Sequence, residues 1–290
     1  MPNGLLVVNA FLKLPKFDAI YQELLQSAAK LNLRLTLQTN ATIATHIDTP
    51  AFKRALPDFV LFWDKDIKTA RLLEMQGIPV FNSAESIELC DDKALTYLAL
   101  RRANIAVPRT VLLPKTFPNI GYTDTEFLAD AADMLSYPLV LKECFGSFGQ
   151  QVYLIQNQEE LAAKVLSLAG TPMLLQELVA ESYGRDTRIN IVGGKVVASI
   201  LRESQNGDFR SNLTLGGSMA NYTPTDRESE LALRAVRALG LTFAGVDVLF
   251  GKNGPLICEV NSNAHFQTTL ECTGVNMADA ILREIAQRIG

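Results

Sequence analysis

The sequence of 290 residues has few of the residues that build metal clusters, disulfide frameworks and membrane spans. Its four cysteines lie far apart, and only two histidines accompany them. This spacing argues against a zinc cluster or a disulfide framework and favours a reducing compartment. No apolar run approaches the roughly 20 residues that a membrane span needs. The short apolar start at Gly4–Phe11 has no basic residue before it, unlike a signal peptide. We therefore expect a cytoplasmic protein without membrane contact.

An excess of positive charge is also absent. Lysine and arginine number 27 against 31 aspartates and glutamates, which gives a formal net charge of −4. Such a chain has no overall field to collect nucleic acid, so we expect no nucleic-acid partner. Hydrophobic residues make up 48% of the chain, which is enough for a large core. The length predicts two or three lobes.

The first segment alternates strands and helices, which predicts a parallel sheet with crossover connections. Its strands are expected at Gly4–Asn9, Arg34–Gln38, Phe59–Phe62 and Pro79–Phe81, and its helices at Phe17–Leu31 and Lys65–Gln76. No Gly-x-Gly-x-x-Gly motif follows the first strand. The segment is therefore not interpreted as a dinucleotide site.

The second segment mixes helices and strands around a glycine-bearing loop. Helices are expected from Lys93 to Ala103, Tyr122 to Leu135 and Glu159 to Leu168, and strands at Val107–Leu113, Leu139–Cys144, Gln151–Ile155 and Met173–Gln176. The third segment is rich in strands, at Thr187–Val192, Lys195–Arg202, Ala244–Phe250 and Leu256–Val260, with helices at Asp226–Leu239 and Met277–Ile289. Its glycine turns predict antiparallel hairpins.

The loop Gly146-Ser147-Phe148-Gly149 follows a strand that carries Lys142. Small residues leave backbone N–H groups free to bind phosphate oxygens, and a lysine adds a point charge. An ordinary hairpin loop is the alternative interpretation. No Gly-Lys-Ser/Thr follows and no helix opens at its end, so it is not a Walker loop. If it binds phosphate, it would act as a lid.

Asp247, Glu259 and Asn261 lie within two otherwise apolar strands, where an unpaired carboxylate would be costly. Glu259 and Asn261 share a strand face. Asp247 joins that face only if a five-residue loop, Gly251–Pro255, pairs it with Glu259, whereas a four-residue loop would pair it with Cys258. In the first register the three side chains offer hard oxygen ligands for magnesium. Otherwise they are edge acids facing solvent.

A third group is basic and polar. Arg188, Arg202 and Arg210 bracket a stretch that begins at Asn212 and contains Gly216-Gly217. Guanidinium forks suit bidentate binding of carboxylate or phosphate. Together they favour an anion site, although each arginine alone is more typical of a surface.

From about Ile78 to its end, the chain resembles ATP-grasp carboxylate–amine ligases of the RimK type. The resemblance depends on an ordered series of motifs. They are Gly-Ile-Pro-Val-Phe-Asn at 77–82, Asp92-Lys93, Val-Leu-Lys at 140–142 with the loop at 146–149, Gln176-Glu177, Gly-Arg-Asp-Thr-Arg at 184–188, Gly-Asp-Phe-Arg-Ser-Asn at 207–212, Gly-Val-Asp at 245–247 and Glu-Val-Asn at 259–261.

The resemblance implies a role for each matching residue. Nucleotide phosphates would be held by Lys93, by Lys142 and by the lid loop Gly146, Ser147, Phe148 and Gly149. The hinge Gln176, Glu177, Leu178 and Val179 would read adenine through its backbone, with Asp186 on the ribose. Two ions of Mg²⁺ (or Mn²⁺) would be bound by Asp247, Glu259 and Asn261. Arg202 and Arg210 would stabilise the transferring phosphoryl group, and Arg188 and Asn212 would bind the carboxylate of an amino acid.

The fold implied is α/β and α+β, an ATP-grasp fold with a Rossmann-like N-terminal lobe and ATP between the central and C-terminal lobes. We expect domains at 1–88, 89–175 and 176–290. The activity implied is formation of an amide through an acyl phosphate, adding an amino acid such as glutamate to a small-molecule, peptide or protein carboxylate. A homo-oligomer, dimer or tetramer, is also implied. The alternatives are a non-catalytic ATP-binding scaffold or regulatory protein and a dipeptide or D-amino-acid ligase.

The sequence departs from the family in two places. Gln151 stands where related loops more often have a further glycine, which predicts a stiffer lid. After Glu-Val-Asn the chain reads Ser262-Asn263-Ala264-His265-Phe266-Gln267 where relatives commonly have Pro-Gly. His265 is either a structural histidine or a proton acceptor for the attacking amine.

Overall fold

The structure is a computed structural model that describes residues 1–43, 56–211 and 217–290. Within these ranges the chain forms three sheets, each from a continuous stretch of sequence. No helix in these described ranges combines the length and the apolar character needed to cross a membrane.

The first sheet is parallel, as predicted, with strand order β2-β1-β3-β4. Its elements are β1 (Asn3–Val8), α1 (Pro15–Lys30), β2 (Arg34–Thr39), α2 (Asn40–Ile43), β3 (Phe59–Trp63), α3 (Ile67–Met75) and β4 (Val80–Phe81). Every residue of β3 is buried. A continuous apolar strand of this kind is typical of a parallel sheet covered on both faces.

The second sheet is antiparallel, with order β5-β8-β6-β7. Two helices precede it, α4 (Ala84–Asp91) and α5 (Lys93–Arg102). Its strands are β5 (Thr110–Leu112), β6 (Leu139–Glu143), β7 (Val152–Ile155) and β8 (Met173–Glu177). Between β5 and β6 lies α6 (Phe127–Leu135), and between β7 and β8 lies α7 (Gln158–Ser167). The helix expected from Tyr122 begins only at Phe127. The Asp124 side chain accepts the N–H of Glu126 at 2.7 Å, which forms a local turn instead of helix.

The third sheet has order β11-β10-β9-β12-β13 and is antiparallel. Its elements are β9 (Arg185–Val192), β10 (Lys195–Ser204), β11 (Gly217–Asn221), α8 (Asp226–Ala238), β12 (Phe243–Gly251), β13 (Gly254–Asn261), α9 (Gln267–Thr273) and α10 (Met277–Ile289). The sequence pattern did not reveal α2, α4, α9 or β11. The three helices are short, and β11 has no buried residue, so each gives a weak periodic signal.

The hairpin of β12 and β13 combines both registers considered for it. Next to the turn, Phe250 pairs with Pro255, as a four-residue loop would require. An irregularity between Asp247 and Val248 then shifts the pairing by one residue, so that Asp247 lies opposite Glu259. Of the two registers left open, the structure has the pairing of the two acids without the five-residue loop that was thought necessary for it. A bulge supplies the shift that the loop was expected to supply.

Asn82 joins the first sheet to the third. Its Nδ2 donates to the carbonyl oxygens of Phe243 (3.0 Å) and Ser262 (2.9 Å). Its Oδ1 accepts the N–H groups of Thr242 (2.8 Å) and Phe243 (3.3 Å). The side chain is fully buried. Beside it, the ring of Trp63 stacks on Phe243 at 5.7 Å, so a polar and an aromatic contact hold the same junction.

Replacing Asn82 with alanine is expected to lower the free energy of unfolding by about 3 kcal/mol or more, because buried N–H and carbonyl groups on two elements lose their partner. Urea unfolding measures the loss. The matched control is Asn119→Ala, since Asn119 is exposed in a turn. Equal losses in the two variants would contradict the role given to Asn82.

Candidate active site

A cleft lies between the second and third sheets and encloses about 870 Å³, including its part open to solvent. It gathers side chains that were singled out far apart in the sequence. Those lining it are Lys93, Lys142, Gly146, Ser147, Phe148, Gly149, Gln176, Glu177, Leu178, Val179, Asp186, Arg202, Arg210, Asp247 and Glu259. Arg188 and Asn261 line an adjoining cavity. Asn212 lies outside the described residues.

Two buried lysines approach the cleft from the second sheet and from α5. Lys142, on β6, places its Nζ 3.4 Å from the hydroxyl of Tyr97 and 3.8 Å from the Sγ of Cys258. Burial alone would lower the pKa of Lys142, but Cys258, Tyr97 and Glu259 raise it, so the lysine stays charged. Lys93 begins α5, and its Nζ lies 3.4 Å from the carbonyl oxygen of Gly146. Both are suited to bind an anion beneath the loop.

The loop between β6 and β7 covers this end of the cleft. Phe148 has a positive φ of 59°, an unusual conformation for a residue with a side chain. The Oε1 of Gln151 accepts the N–H of Ser147 at 3.2 Å and crosses the loop there. A Cβ on Gly146 would lie 2.3 Å from that Oε1, so glycine is required for this close approach. Gln151 therefore braces the loop, in line with the stiffness predicted for it.

The hinge at Gln176–Val179 is held against β5 by side chains. Nε2 of Gln176 donates to Oγ1 of Thr110 at 2.9 Å. Glu177 accepts from Arg109 through both the backbone N–H (2.8 Å) and Nε (2.6 Å). These contacts fix the edge of the cleft that Leu178 and Val179 line.

A row of charges crosses the third sheet under the cleft. Arg202 binds Asp186 on the neighbouring strand through two hydrogen bonds of 2.7 and 2.5 Å. Arg188 binds Asp247 on the next strand through two of 2.7 Å, and Arg202 also reaches Asp247 at 3.0 Å. Each pair faces directly across the sheet. Burial would raise the pKa of Asp247, but Arg188 and Arg202 hold it below its usual range.

Sequence reasoning found these residues but not their pairing. Asp186 and Arg202 were expected to contact different parts of a nucleotide, and the structure binds them to each other. Arg210 likewise pairs with Asp208 at 2.7 Å and donates to the carbonyl oxygen of Gly149 at 2.7 Å, so it also holds the lid loop.

The two carboxylates expected to bind magnesium differ in whether their oxygen atoms already have partners. Both carboxylate oxygens of Asp247 are held by arginines, whereas the carboxylate of Glu259 forms no ion pair or hydrogen bond with any residue in the described ranges. No group of three His, Cys, Asp or Glu residues suited to a metal is found in those ranges. Glu259 and the carboxamide of Asn261 fit a magnesium ion as hard oxygen donors, and Asp247 fits once an arginine releases it.

A second cavity, of about 1330 Å³ including its part open to solvent, adjoins the cleft on the side of the first sheet. Ser147, Phe148, Arg202 and Glu259 line both spaces. Its outer wall is the segment Ser262–Gln267, and Lys16 and Lys65 approach from the first lobe. Gly245 allows this wall to lie close, because a Cβ there would be 2.6 Å from that of Ala264. In the sequence, this segment was singled out because it departs from the family pattern. No sequence pattern singled out Lys16 or Lys65.

Removing the brace should loosen the loop. Gln151→Ala deletes the acceptor for the N–H of Ser147, and the amides of the loop are expected to exchange with solvent about fivefold faster, as for one lost hydrogen bond of about 1 kcal/mol. Hydrogen-exchange mass spectrometry of a peptide covering 145–150 measures this. Gln150→Ala is the matched control, since Gln150 is exposed beside it. The same exchange rates in both variants would show that Gln151 does not brace the loop.

Comparison with known proteins matches this architecture. Residues 90–285 match the RimK-like ATP-grasp domain. A probable alpha-L-glutamate ligase of Mannheimia succiniciproducens is 34% identical over 219 residues, which cover 75% of this chain and 70% of the relative. Human N-acetylaspartylglutamate synthase A is 36% identical over 205 residues, 70% of this chain and 51% of that protein.

A solved structure extends the match to the whole fold. The RimK domain ATP-grasp protein of Sphaerobacter thermophilus superposes with a TM-score of 0.74 at 20% identity, and the match covers 98% of this chain and 99% of that one. The resemblance and the fold inferred from the motifs are thus confirmed. The chain belongs to the RimK-like ATP-grasp family and is an ATP-dependent ligase.

Proposed function

We propose that the protein uses ATP and Mg²⁺ or Mn²⁺ to join an amino acid, such as glutamate, to a carboxylate through an acyl phosphate. One observation carries this proposal. Buried cations from α5, β6 and β10 and acids from β12 and β13 line one cleft, which a glycine-bearing loop covers. Phosphoryl transfer needs this combination of positioning and charge neutralisation, and it needs no protein nucleophile.

Each group of residues lining the cleft would have a separate role in the reaction. Lys93, Lys142 and the loop backbone would hold the phosphates of ATP, and the hinge would hold the base. Arg202 and Arg210 would neutralise the charge that develops on the transferring phosphoryl group. Asp247, Glu259 and Asn261 would hold two divalent ions, which would neutralise charge on the phosphates. The acyl phosphate formed on the substrate carboxylate would then be attacked by the amine, which releases phosphate.

Metal binding at Asp247 competes with Arg188. The two groups are joined by two hydrogen bonds of 2.7 Å, so a divalent ion at Asp247 and the guanidinium of Arg188 would compete for one carboxylate. The freed guanidinium of Arg188 lines the second cavity, where it would be available for a carboxylate. Asn212, the other residue expected to bind that carboxylate, remains a prediction from sequence.

Other features of the proposal come from the sequence and the family. We propose domain boundaries near residues 88 and 175, a cytoplasmic location and a homo-oligomer, either dimer or tetramer. The acceptor is a carboxylate of a small molecule, a peptide or a protein tail. The alternative is a scaffold that binds ATP without ligation, and the next experiment distinguishes it from the ligase.

Glu259→Gln is expected to lower magnesium-dependent release of phosphate from ATP, in the presence of pooled amino acids and carboxylates, by about 100-fold or more, because it removes a charged ion ligand that no other residue replaces. Asp247→Asn should do the same and also disturb the arginine row. The control is Glu159→Gln, on the exposed first turn of α7.

Two other results are informative. Normal phosphate release in both acid variants would refute the metal assignment. Tight ATP binding by the unaltered protein, with no release stimulated by any pool, would replace the ligase proposal with the scaffold.

A further inference from the structure

The ammonium group of Lys142 has few partners for a buried cation. Lys142 is 6% exposed, and its Nζ carries three hydrogen-bond donors. In the described part of the chain these donors meet the hydroxyl of Tyr97 at 3.4 Å and the Sγ of Cys258 at 3.8 Å, and Lys142 makes no ion pair there. Because sulfur accepts hydrogen bonds only weakly, the hydroxyl of Tyr97 is the stronger of the two contacts.

The same hydroxyl contacts the bulge in the hairpin of β12 and β13. The bulge places Asp247 opposite Glu259 and leaves Cys258, the residue before Glu259, without an opposite residue. The extra residue of a bulge is left out of the ladder between the strands. The carbonyl oxygen of Cys258 accepts the hydroxyl of Tyr97 at 2.5 Å. A side chain from α5 therefore supports the irregularity that brings the two acids together.

One phenol can make both contacts at the same time. Burial raises the pKa of Tyr97, so the phenol keeps its proton at neutral pH. Its single hydrogen points to the carbonyl oxygen of Cys258, the nearer acceptor, since the Oε1 of Gln176 lies 3.4 Å away. The lone pairs of the hydroxyl oxygen are then available to the ammonium group of Lys142. The hydroxyl thus donates to β13 and accepts from β6.

Tyr97 lies behind the wall of the cleft and is itself held firmly. It is 3% exposed and packs with Cys144 and Leu174 in a small apolar cluster. The backbone N–H of Lys93 donates to the carbonyl oxygen of Cys144 at 2.9 Å, which ties the start of α5 to the end of β6. Tyr97 lines a separate groove between α5, β5 and α6. A residue in this position can act on a ligand in the cleft only through the groups that it holds.

We propose that Tyr97 is a positioning residue for phosphoryl transfer: its hydroxyl holds the ammonium group of Lys142 at the cleft and fixes the bulge that brings Asp247 opposite Glu259. This inference rests on the proposed function, in which Lys142 binds phosphate and the two acids bind metal ions. It adds a residue that sets the distance between the phosphate site and the metal site and touches neither ligand.

The first experiment is calorimetry of the whole protein with a non-hydrolysable ATP analogue and Mg²⁺. Tyr97→Phe should weaken binding of the analogue about tenfold, as for a lost hydrogen bond to a charged group. Binding of adenosine, which has no phosphate, should be unchanged. Tyr122→Phe is the matched control, because the hydroxyl of Tyr122 also donates to a backbone carbonyl, that of Pro114 at 2.8 Å, and Tyr122 lines neither the cleft nor the second cavity.

The second experiment tests whether Tyr97 acts through Lys142. The analogue is titrated without Mg²⁺, so that the acids contribute no metal contact, into Lys142→Met and into the double variant that adds Tyr97→Phe. Because both proteins lack the ammonium group, their affinities should agree within about twofold. A further tenfold loss in the double variant would show that Tyr97 does not act through Lys142 and would overturn the proposal.

The third experiment examines the bulge without any nucleotide. Hydrogen-exchange mass spectrometry of a peptide covering 255–261 should show about fivefold faster exchange in Tyr97→Phe than in the unaltered protein, because the bulge has lost one hydrogen bond. Tyr122→Phe should leave the exchange of this peptide unchanged. The same exchange in both variants would overturn the role of Tyr97 at the bulge.

The binding data can also contradict the proposal. Equal affinity of Tyr97→Phe and Tyr122→Phe for the analogue would overturn it. Equal weakening of the analogue and of adenosine by Tyr97→Phe would overturn it as well, because a general disturbance of the cleft affects both ligands. Failure of the unaltered protein to bind the analogue would instead refute the proposed function on which the inference rests.

Discussion

The row of paired charges across the third sheet is the constraint on which the candidate site depends. Asp186, Arg188, Arg202 and Asp247 project from three adjacent strands, and their register places each acid opposite an arginine. Asp186, Arg202 and Asp247 are each at most 6% exposed. Removing one partner from a buried pair of this kind typically costs about 3–5 kcal/mol, because it leaves a charge unpaired. The register of these three strands therefore determines which charged side chains lie on the floor of the cleft.

Under the proposed function the same row has two states. In the structure Asp247 is paired with its arginines, whereas a bound metal ion and nucleotide would offer the acid and the arginines new partners of opposite charge. Glu259, directly across from Asp247, is already free of such contacts. The exchange of partners joins the metal site to the second cavity, since Arg188 and Asn261 line that cavity while Asp247 and Glu259 line the cleft. The cleft and the second cavity thus share one sheet face.

Much of this could be inferred from the sequence because the chemistry is concentrated in short strands. Apolar runs interrupted by acids, a loop of small residues and the order of the motifs located the cleft. The pairing of Asp247 with Glu259 was one of two registers left open by the sequence, and the structure reaches it through a bulge instead of a five-residue loop. The arginine partners could not be predicted, since they depend on registers between strands that are far apart in the chain. Lys16 belongs to the first lobe, where no pattern distinguishes it from a solvated lysine.

The most direct test of this account is a structure of the protein with an ATP analogue and Mg²⁺. We expect the analogue between the second and third sheets, an ion about 2.1 Å from oxygen atoms of Asp247 and Glu259, and loss of at least one of the two hydrogen bonds between Asp247 and Arg188. A bound nucleotide with that pair intact and no ion at Glu259 would contradict the account.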